Sequence, residues 1–120
     1  APTLELGLAT GRVARALAAR GVDMHGIEAS AAMLGQFRAH ADHAAVAAVA
    51  GDIVQLPYRS AFGLVFAVCG TLELLPTRAQ QQRCLEAVAR VLRPGGWFAC
   101  ELSGLEGGGE RIDTSVPLMT

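Results

Sequence analysis

The chain has 120 residues, 52% of them hydrophobic, and a net charge of -1, which corresponds to one globular domain with enough apolar residues for a core. The balanced charge argues against a polyanionic partner such as nucleic acid. All ten basic residues are arginine, so a Schiff-base lysine and a P-loop lysine are both excluded.

The first predicted elements are a strand at 4–6, a turn with small residues at Gly7, Ala9 and Gly11, and an alanine-rich helix at 11–20. Small residues in such a turn let a ligand approach the backbone closely. The helix start behind the turn offers unpaired N–H groups and a partial positive charge to an anionic group. The turn is therefore the first candidate for a binding site.

Helices and strands alternate along the rest of the chain. Apolar spacing and breaking residues predict strand 23–27, helix 31–41, strand 44–50, strand 62–68, helix 77–93 and strand 97–102. This alternation predicts an α/β fold, a Rossmann-like doubly wound, mostly parallel sheet of about five strands with helices on both faces. Residues 1–103 are expected to form this core and residues 104–120 a glycine-rich loop and tail.

Acidic residues end two of the predicted strands, where doubly wound folds bind their ligands. Glu28 ends the second strand, 21 positions after Gly7, which is close to the spacing of about 20 expected for a ribose-binding acid. Asp52 follows the third strand and could accept a hydrogen bond from an exocyclic amine such as that of adenine. Plainer roles stay open: Glu28 as a solvent-facing acid, Asp52 as a turn cap, and Glu5 with Arg12 as a surface ion pair or as charges at a helix start.

The pattern from Glu5 to Gly11 is Glu-x-Gly-x-Ala-x-Gly. It resembles the first motif of class I S-adenosylmethionine-dependent methyltransferases, Glu/Asp-x-Gly-x-Gly-x-Gly, with Ala9 at the middle glycine. Three further segments resemble later motifs of that family, namely 26–30 with Met33-Leu34, Gly51-Asp52 with Leu56-Pro57, and Leu92-Arg93-Pro94-Gly95-Gly96. The resemblance extends over residues 3–102.

The resemblance implies S-adenosylmethionine as the cofactor and gives the matching positions their roles. Glu5 and Arg12 would meet the amino and carboxylate ends of its methionine part. Glu28 would hold the ribose, Met33 would cover the adenine or ribose, and Asp52 would take the adenine edge.

Small residues complete the implied site. Gly7, Ala9 and Gly11 would pass under the methionine part, while Cys69 and Gly70 would flank the methyl group. The full set of implied cofactor-binding residues is Glu5, Gly7, Ala9, Gly11, Arg12, Glu28, Ala29, Met33, Asp52, Ile53, Cys69 and Gly70.

The function implied by the resemblance is a methyltransferase acting on a small-molecule acceptor, with the acceptor and any catalytic base unidentified. Two alternatives stay open: a nicotinamide-dependent oxidoreductase, disfavoured by Arg12 at the place of a third glycine, and a non-catalytic cofactor-binding fragment. The family usually continues past the fifth strand, so we expect the chain to be truncated at its C-terminus. The three cysteines form no Cys-x-x-Cys pair, so we expect no metal site and a cytoplasmic location. We also expect no membrane or nucleic-acid partner, because no apolar run is long enough to span a membrane and the sequence has no basic stripe.

Overall fold

The structure, a computed structural model, describes residues 1–68 and 70–102 and the backbone of 112–117. The strands of these residues are β1 (Thr3–Leu6), β2 (Met24–Glu28), β3 (Val46–Ala50), β4 (Phe62–Ala67), β5 (Leu92–Leu102) and β6 (Ile112–Pro117). The helices are α1 (Arg12–Ala19), α2 (Ala31–Arg38) and α3 (Arg78–Val91), and short 3-10 turns occupy His43–Ala45 and Thr71–Leu74.

The strands form one sheet in the order β3-β2-β1-β4-β5-β6. Strands β1 to β5 pair in parallel, with Glu5 of β1 beside Gly26 of β2 and Phe66 of β4. The chain runs outward from β1 to β3 and then returns to the other side of β1. The carboxyl end of β1 is thus the switch point at which such sheets bind ligands. The predicted α/β fold class is confirmed.

An antiparallel edge strand extends the sheet further than the sequence predicted. Strand β6 pairs with β5, with Ile112 opposite Leu102. The segment 110–120 has no clear period in the sequence, because a short edge strand owes its structure to pairing with a neighbour more than to its own residues. The division between a core at 1–103 and a tail at 104–120 stays a prediction.

The sheet separates two hydrophobic clusters. On one face, Leu4 and Leu6 of β1 pack with Val88 of α3. On the other face, Ala14 of α1 packs with Phe37 of α2. Successive side chains of a strand point to opposite faces, so β2, β3, β4 and β5 each contribute to both clusters. Helices therefore cover both faces, as predicted.

Side-chain caps start two of the predicted helices. Ser30 Oγ accepts a hydrogen bond from the Met33 N–H at 3.2 Å. Thr77 Oγ1 accepts from the Gln80 N–H at 3.1 Å. Each cap satisfies one of the N–H groups that a helix start leaves without an intrahelical partner.

Helix α3 gives way to β5 earlier than expected. The helix ends at Val91 and the strand begins at Leu92, so the predicted helix end at 93 and strand start at 97 are wrong. Leu92 is buried and pairs with Phe62 of β4. Sheet pairing removes Leu92 from the helix, although its spacing also fits the apolar face of α3.

Candidate functional site

A cavity of about 640 Å³ opens where β1, β2 and β3 end, beside the turn that follows β4. This volume is typical of small-molecule sites. The described residues that line it are Glu5, Gly7, Leu8, Ala9, Thr10, Arg12, Val13, Glu28, Ala29, Ser30, Met33, Asp52, Ile53, Val68, Thr71, Leu74 and Leu75. The cavity thus lies at the switch point of the sheet.

Two glycines shape the loop after β1. Gly7 and Gly11 have left-handed backbone conformations, with φ of 72° and 79°. A Cβ atom at Gly7 would lie 2.5 Å from Cγ2 of Thr71, and one at Gly11 would lie 2.5 Å from Cδ1 of Phe37. Both backbone conformation and packing therefore require glycine at these positions.

Ala9 adopts a conformation that suits glycine better. Its φ is 53°, in the left-handed region that costs other L-residues about 1–2 kcal/mol. Its N–H donates to Oε1 of Glu28 at 2.7 Å. The N–H groups of Gly7 and Leu8 both donate to the Ile27 carbonyl at 3.0 Å. The loop is thus tied to the end of β2 by backbone and side-chain hydrogen bonds.

Glu28 connects several parts of the cavity wall. Besides the Ala9 contact, its Oε2 accepts from the Ser30 N–H at 2.9 Å. Its backbone carbonyl accepts from the Gly51 N–H at 3.1 Å. The side chain is half-buried and lines the cavity, so it is more than a solvent-facing acid.

Glu5 is buried, with 3% of its surface exposed. Its Oε1 has no hydrogen-bond partner among the described residues. Burial raises the pKa of the carboxyl to about 8, the Arg12 charge lowers it, the Glu28 charge raises it, and a hydrogen bond from the Ala14 backbone lowers it. The alternative of a surface ion pair is therefore wrong for Glu5, because its carboxyl is buried, and burial favours the neutral form of the carboxyl.

Asp52 has the turn-capping role that the sequence left open, and it also lines the cavity. Its Oδ1 accepts from the Val54 N–H at 3.0 Å, which caps the turn after β3. The exposed side chain also lines the cavity. The neighbouring Ile53 is 9% exposed and contributes an apolar part of the same wall.

Most residues of the predicted site come together in this cavity. Those that line it are Glu5, Gly7, Ala9, Arg12, Glu28, Ala29, Met33, Asp52 and Ile53. Gly11 and Gly70 do not occur among the described lining residues. Gly11 faces Phe37, and Gly70 is a buried left-handed residue that precedes the 3-10 turn. Cys69 lies outside the described residues.

Sequence reasoning missed four residues on one side of the cavity. Val68, Thr71, Leu74 and Leu75 line it from the segment that follows β4. Thr71 Oγ1 donates to the Val68 carbonyl at 2.7 Å, which folds this segment back over the end of the strand. The general rule that ligands bind beyond strand ends could have indicated these residues.

His25 is not among the described residues that line the cavity. His25 contacts Asp23 at 3.2 Å and packs edge-on against Phe62. In the part of the chain that the structure describes, no group of three or more His, Cys, Asp or Glu side chains could hold a metal ion. No helix in that part has the length and apolar character needed to cross a membrane.

Comparison with protein families finds a match over most of the chain. Residues 3–96 match a family model described as "Methyltransferase domain". Comparison with curated proteins finds no match.

Several solved structures are similar. One is the CcbJ methyltransferase from Streptomyces caelestis, with 38% identity and a TM-score of 0.78 over 83% of this chain and 42% of that one. Another is the glycopeptide N-methyltransferase MtfA complexed with S-adenosylmethionine, with 26% identity and a TM-score of 0.78 over 98% and 59%.

A third similar structure is that of CalS10 from Micromonospora echinaspora with S-adenosylmethionine bound. It is described as an amino pentose methyltransferase involved in calicheamicin biosynthesis. Its identity is 26% and its TM-score 0.79, over 88% of this chain and 44% of that one. The chain thus spans between 42% and 59% of the lengths of the three proteins.

Proposed function

The chain belongs to the methyltransferase-domain family, and on this premise we propose that it binds S-adenosylmethionine in the cavity and transfers the methyl group to a small-molecule acceptor. The family match over residues 3–96 supports this proposal. The similar structures that contain S-adenosylmethionine support the choice of cofactor.

The observation that carries the proposal is a set of three carboxyl groups around the cavity, from Glu5, Glu28 and Asp52. Glu5 belongs to β1, Glu28 to β2 and Asp52 to the loop after β3, and these three strands are neighbours in the sheet. S-adenosylmethionine offers an ammonium group, two ribose hydroxyls and an adenine amino group, all of which donate hydrogen bonds. We assign the ammonium to Glu5, the hydroxyls to Glu28 and the amino group to Asp52.

The assignment of Glu5 has a further physical reason. A buried oxygen without a hydrogen-bond partner is costly, and Oε1 of Glu5 is such an atom among the described residues. An ammonium group would satisfy it and would favour the ionised carboxylate. Arg12 at the start of α1 is assigned to the carboxylate end of the ligand, where the helix dipole also favours an anion.

Methyl transfer requires little acid–base catalysis by the protein. S-adenosylmethionine supplies an activated methyl group on a sulfonium. The chain has to hold the acceptor nucleophile in line with that group, which is a proximity effect. We assign the acceptor to the apolar side of the cavity, formed by Val68, Leu74 and Leu75. A general base is needed only if the acceptor must lose a proton before attack.

A small acceptor is supported by charge and by similarity. The net charge of -1 does not favour a nucleic acid. The similar proteins are described as methyltransferases of a glycopeptide and of an amino pentose. Amino sugars and glycopeptides are therefore the first acceptors to test. The cytoplasmic location stays a prediction.

Calorimetry tests the cofactor. We expect S-adenosylmethionine to bind the purified chain and NAD to give no heat. The variant Glu28→Ala should bind S-adenosylmethionine more weakly by at least about 1–2 kcal/mol, because a charged acceptor is lost. Asp23→Asn, which removes an exposed carboxylate before the other end of β2, is the matched control. Absence of S-adenosylmethionine binding would refute the proposal.

Transfer is tested separately with S-adenosylmethionine carrying a labelled methyl group and a panel of amino sugars and small peptides. Label in the acceptor supports a methyltransferase. Binding without transfer to any acceptor would favour the non-catalytic alternative.

A further inference from the structure

Glu28 lies where three parts of the cavity wall meet. Its Oε1 accepts from the Ala9 N–H at 2.7 Å, and its Oε2 accepts from the Ser30 N–H at 2.9 Å. Its backbone carbonyl accepts from the Gly51 N–H at 3.1 Å. One residue thus contacts the loop after β1, the cap of α2 and the loop after β3.

Each side-chain contact acts on another residue of the wall. At Ala9, the hydrogen bond restrains a residue whose φ of 53° is unfavourable for alanine. At Ser30, it fixes the backbone of the residue that caps α2, whose Oγ accepts from the Met33 N–H at 3.2 Å. Met33 in turn lines the cavity. The carboxylate therefore restrains both the loop and the start of α2.

These contacts leave room for a ligand. An ionised carboxylate has about four lone-pair sites, and each oxygen of Glu28 accepts one backbone hydrogen bond in the described structure. Each oxygen can therefore accept a further hydrogen bond from a ligand hydroxyl. Holding the loop and binding a ribose do not compete.

We propose that Glu28 is a positioning residue that holds the loop 7–11 and the start of α2 in their ligand-binding arrangement before any ligand enters. Its two backbone contacts set the orientation of the carboxylate and the path of Ala9 together. The proposed function supplies only the identity of the ligand, since both contacts exist in the chain alone.

Amide exchange in the ligand-free chain tests this role without a ligand. In Glu28→Ala the amides of Ala9 and Ser30 should exchange at least about tenfold faster than in the wild type, because both lose their acceptor. The amide of Val65, in the core strand β4, should be unchanged and so reports that the fold persists. The matched control Asp23→Asn should leave all three amides as in the wild type. Unchanged exchange at Ala9 and Ser30 in Glu28→Ala would overturn the proposal.

If Glu28→Ala does not fold, a measurement on the wild type still tests the proposal. A through-hydrogen-bond coupling between the Ala9 amide nitrogen and the Glu28 carboxyl carbon should be measurable by NMR in the ligand-free chain. Its absence would overturn the proposal.

A pair of ligands separates positioning from direct contact. We would titrate wild type and Glu28→Ala with S-adenosylhomocysteine and with its 2′,3′-dideoxy analogue, which lacks the hydroxyls. A positioning residue predicts a loss of roughly fivefold or more for both ligands. A loss confined to the ligand with hydroxyls would reduce Glu28 to a ribose contact and overturn the proposal. If neither ligand binds the wild type but the amide results hold, the proposed function fails and the positioning role stands.

Discussion

Replacing Glu5 by glutamine should change how the stability of the ligand-free chain depends on pH. Glu5 is 3% exposed, and burial raises its pKa from the ordinary value of 4.5 to about 8. Between these pH values the unfolded chain has lost the proton while the folded chain retains it. The stability that the folded chain gains by retaining the Glu5 proton is therefore complete below pH 4.5 and is lost as the pH rises through 8. Glutamine stays neutral throughout.

The magnitude follows from the same two values. Where the folded state holds one more proton than the unfolded state, the free energy of unfolding falls by about 1.4 kcal/mol per pH unit. Between pH 5 and pH 8 the wild type should therefore lose about 3–4 kcal/mol relative to Glu5→Gln. This is a large part of the roughly 5–15 kcal/mol that stabilises a typical domain.

Urea unfolding at intervals from pH 5 to pH 9 measures this difference. Glu86→Gln is the matched control, since Glu86 is an exposed acid on α3. The free energy of unfolding of this variant should depend on pH in the same way as that of the wild type. At pH 5 the wild type and Glu5→Gln should differ by less than about 1 kcal/mol, because both side chains are neutral in the folded chain and pH 5 is only half a pH unit above the unfolded pKa of 4.5. Above pH 8 the difference should level off, because the folded wild type then also ionises.

This reasoning would be refuted if the free energies of unfolding of the wild type and Glu5→Gln showed the same dependence on pH. The same dependence would mean that the Glu5 carboxyl ionises at the same pH in the folded and unfolded chains. The carboxyl would then be solvated or paired in solution, and the assignment of a cationic ligand group to it would lose its physical basis.

Two backbone predictions concern the glycine loop. Ala9→Gly should stabilise the chain by about 0.5–1 kcal/mol in urea unfolding, because glycine adopts the φ of 53° without strain. The control Ala16→Gly in α1 should destabilise the chain by about 1 kcal/mol. A loss of stability in Ala9→Gly would contradict the backbone strain at Ala9. Gly11→Ala should cost about 2–5 kcal/mol, because its Cβ would meet Phe37 at 2.5 Å. Gly21→Ala, with a φ of 90° but nothing within 4 Å, should cost only about 1–2 kcal/mol; equal losses for the two would exclude the packing argument.

The fold class was accessible from the sequence because its signals are local. Apolar runs, helix caps such as Ser30 and Thr77, and breaking residues are each readable within one turn or strand. Alternation of strand and helix then limits the topology to a parallel sheet. The sequence could not place the boundary at Leu92, because that residue suits both helix and strand and its pairing with Phe62 decides between them.

The glycine loop and its acidic partners were readable for a similar reason. Glu28 and Asp52 lie just after predicted strand ends and Glu5 lies one residue before one, and parallel strands bring such ends to one edge of the sheet. Their presence in a common cavity is thus a consequence of local pattern and general topology. The resemblance to methyltransferases added the cofactor that such a set suits.

Sequence by itself therefore determined the class of fold, the family and most residues of the cavity wall. Only the tertiary structure decided what each of them does there. The burial of Glu5, which sets its protonation, depends on neighbours far away in the chain. The contact of Glu28 with Ala9 joins residues 19 positions apart. Desolvation and side-chain hydrogen bonds depend on which atoms surround a group, and a linear pattern does not contain that information.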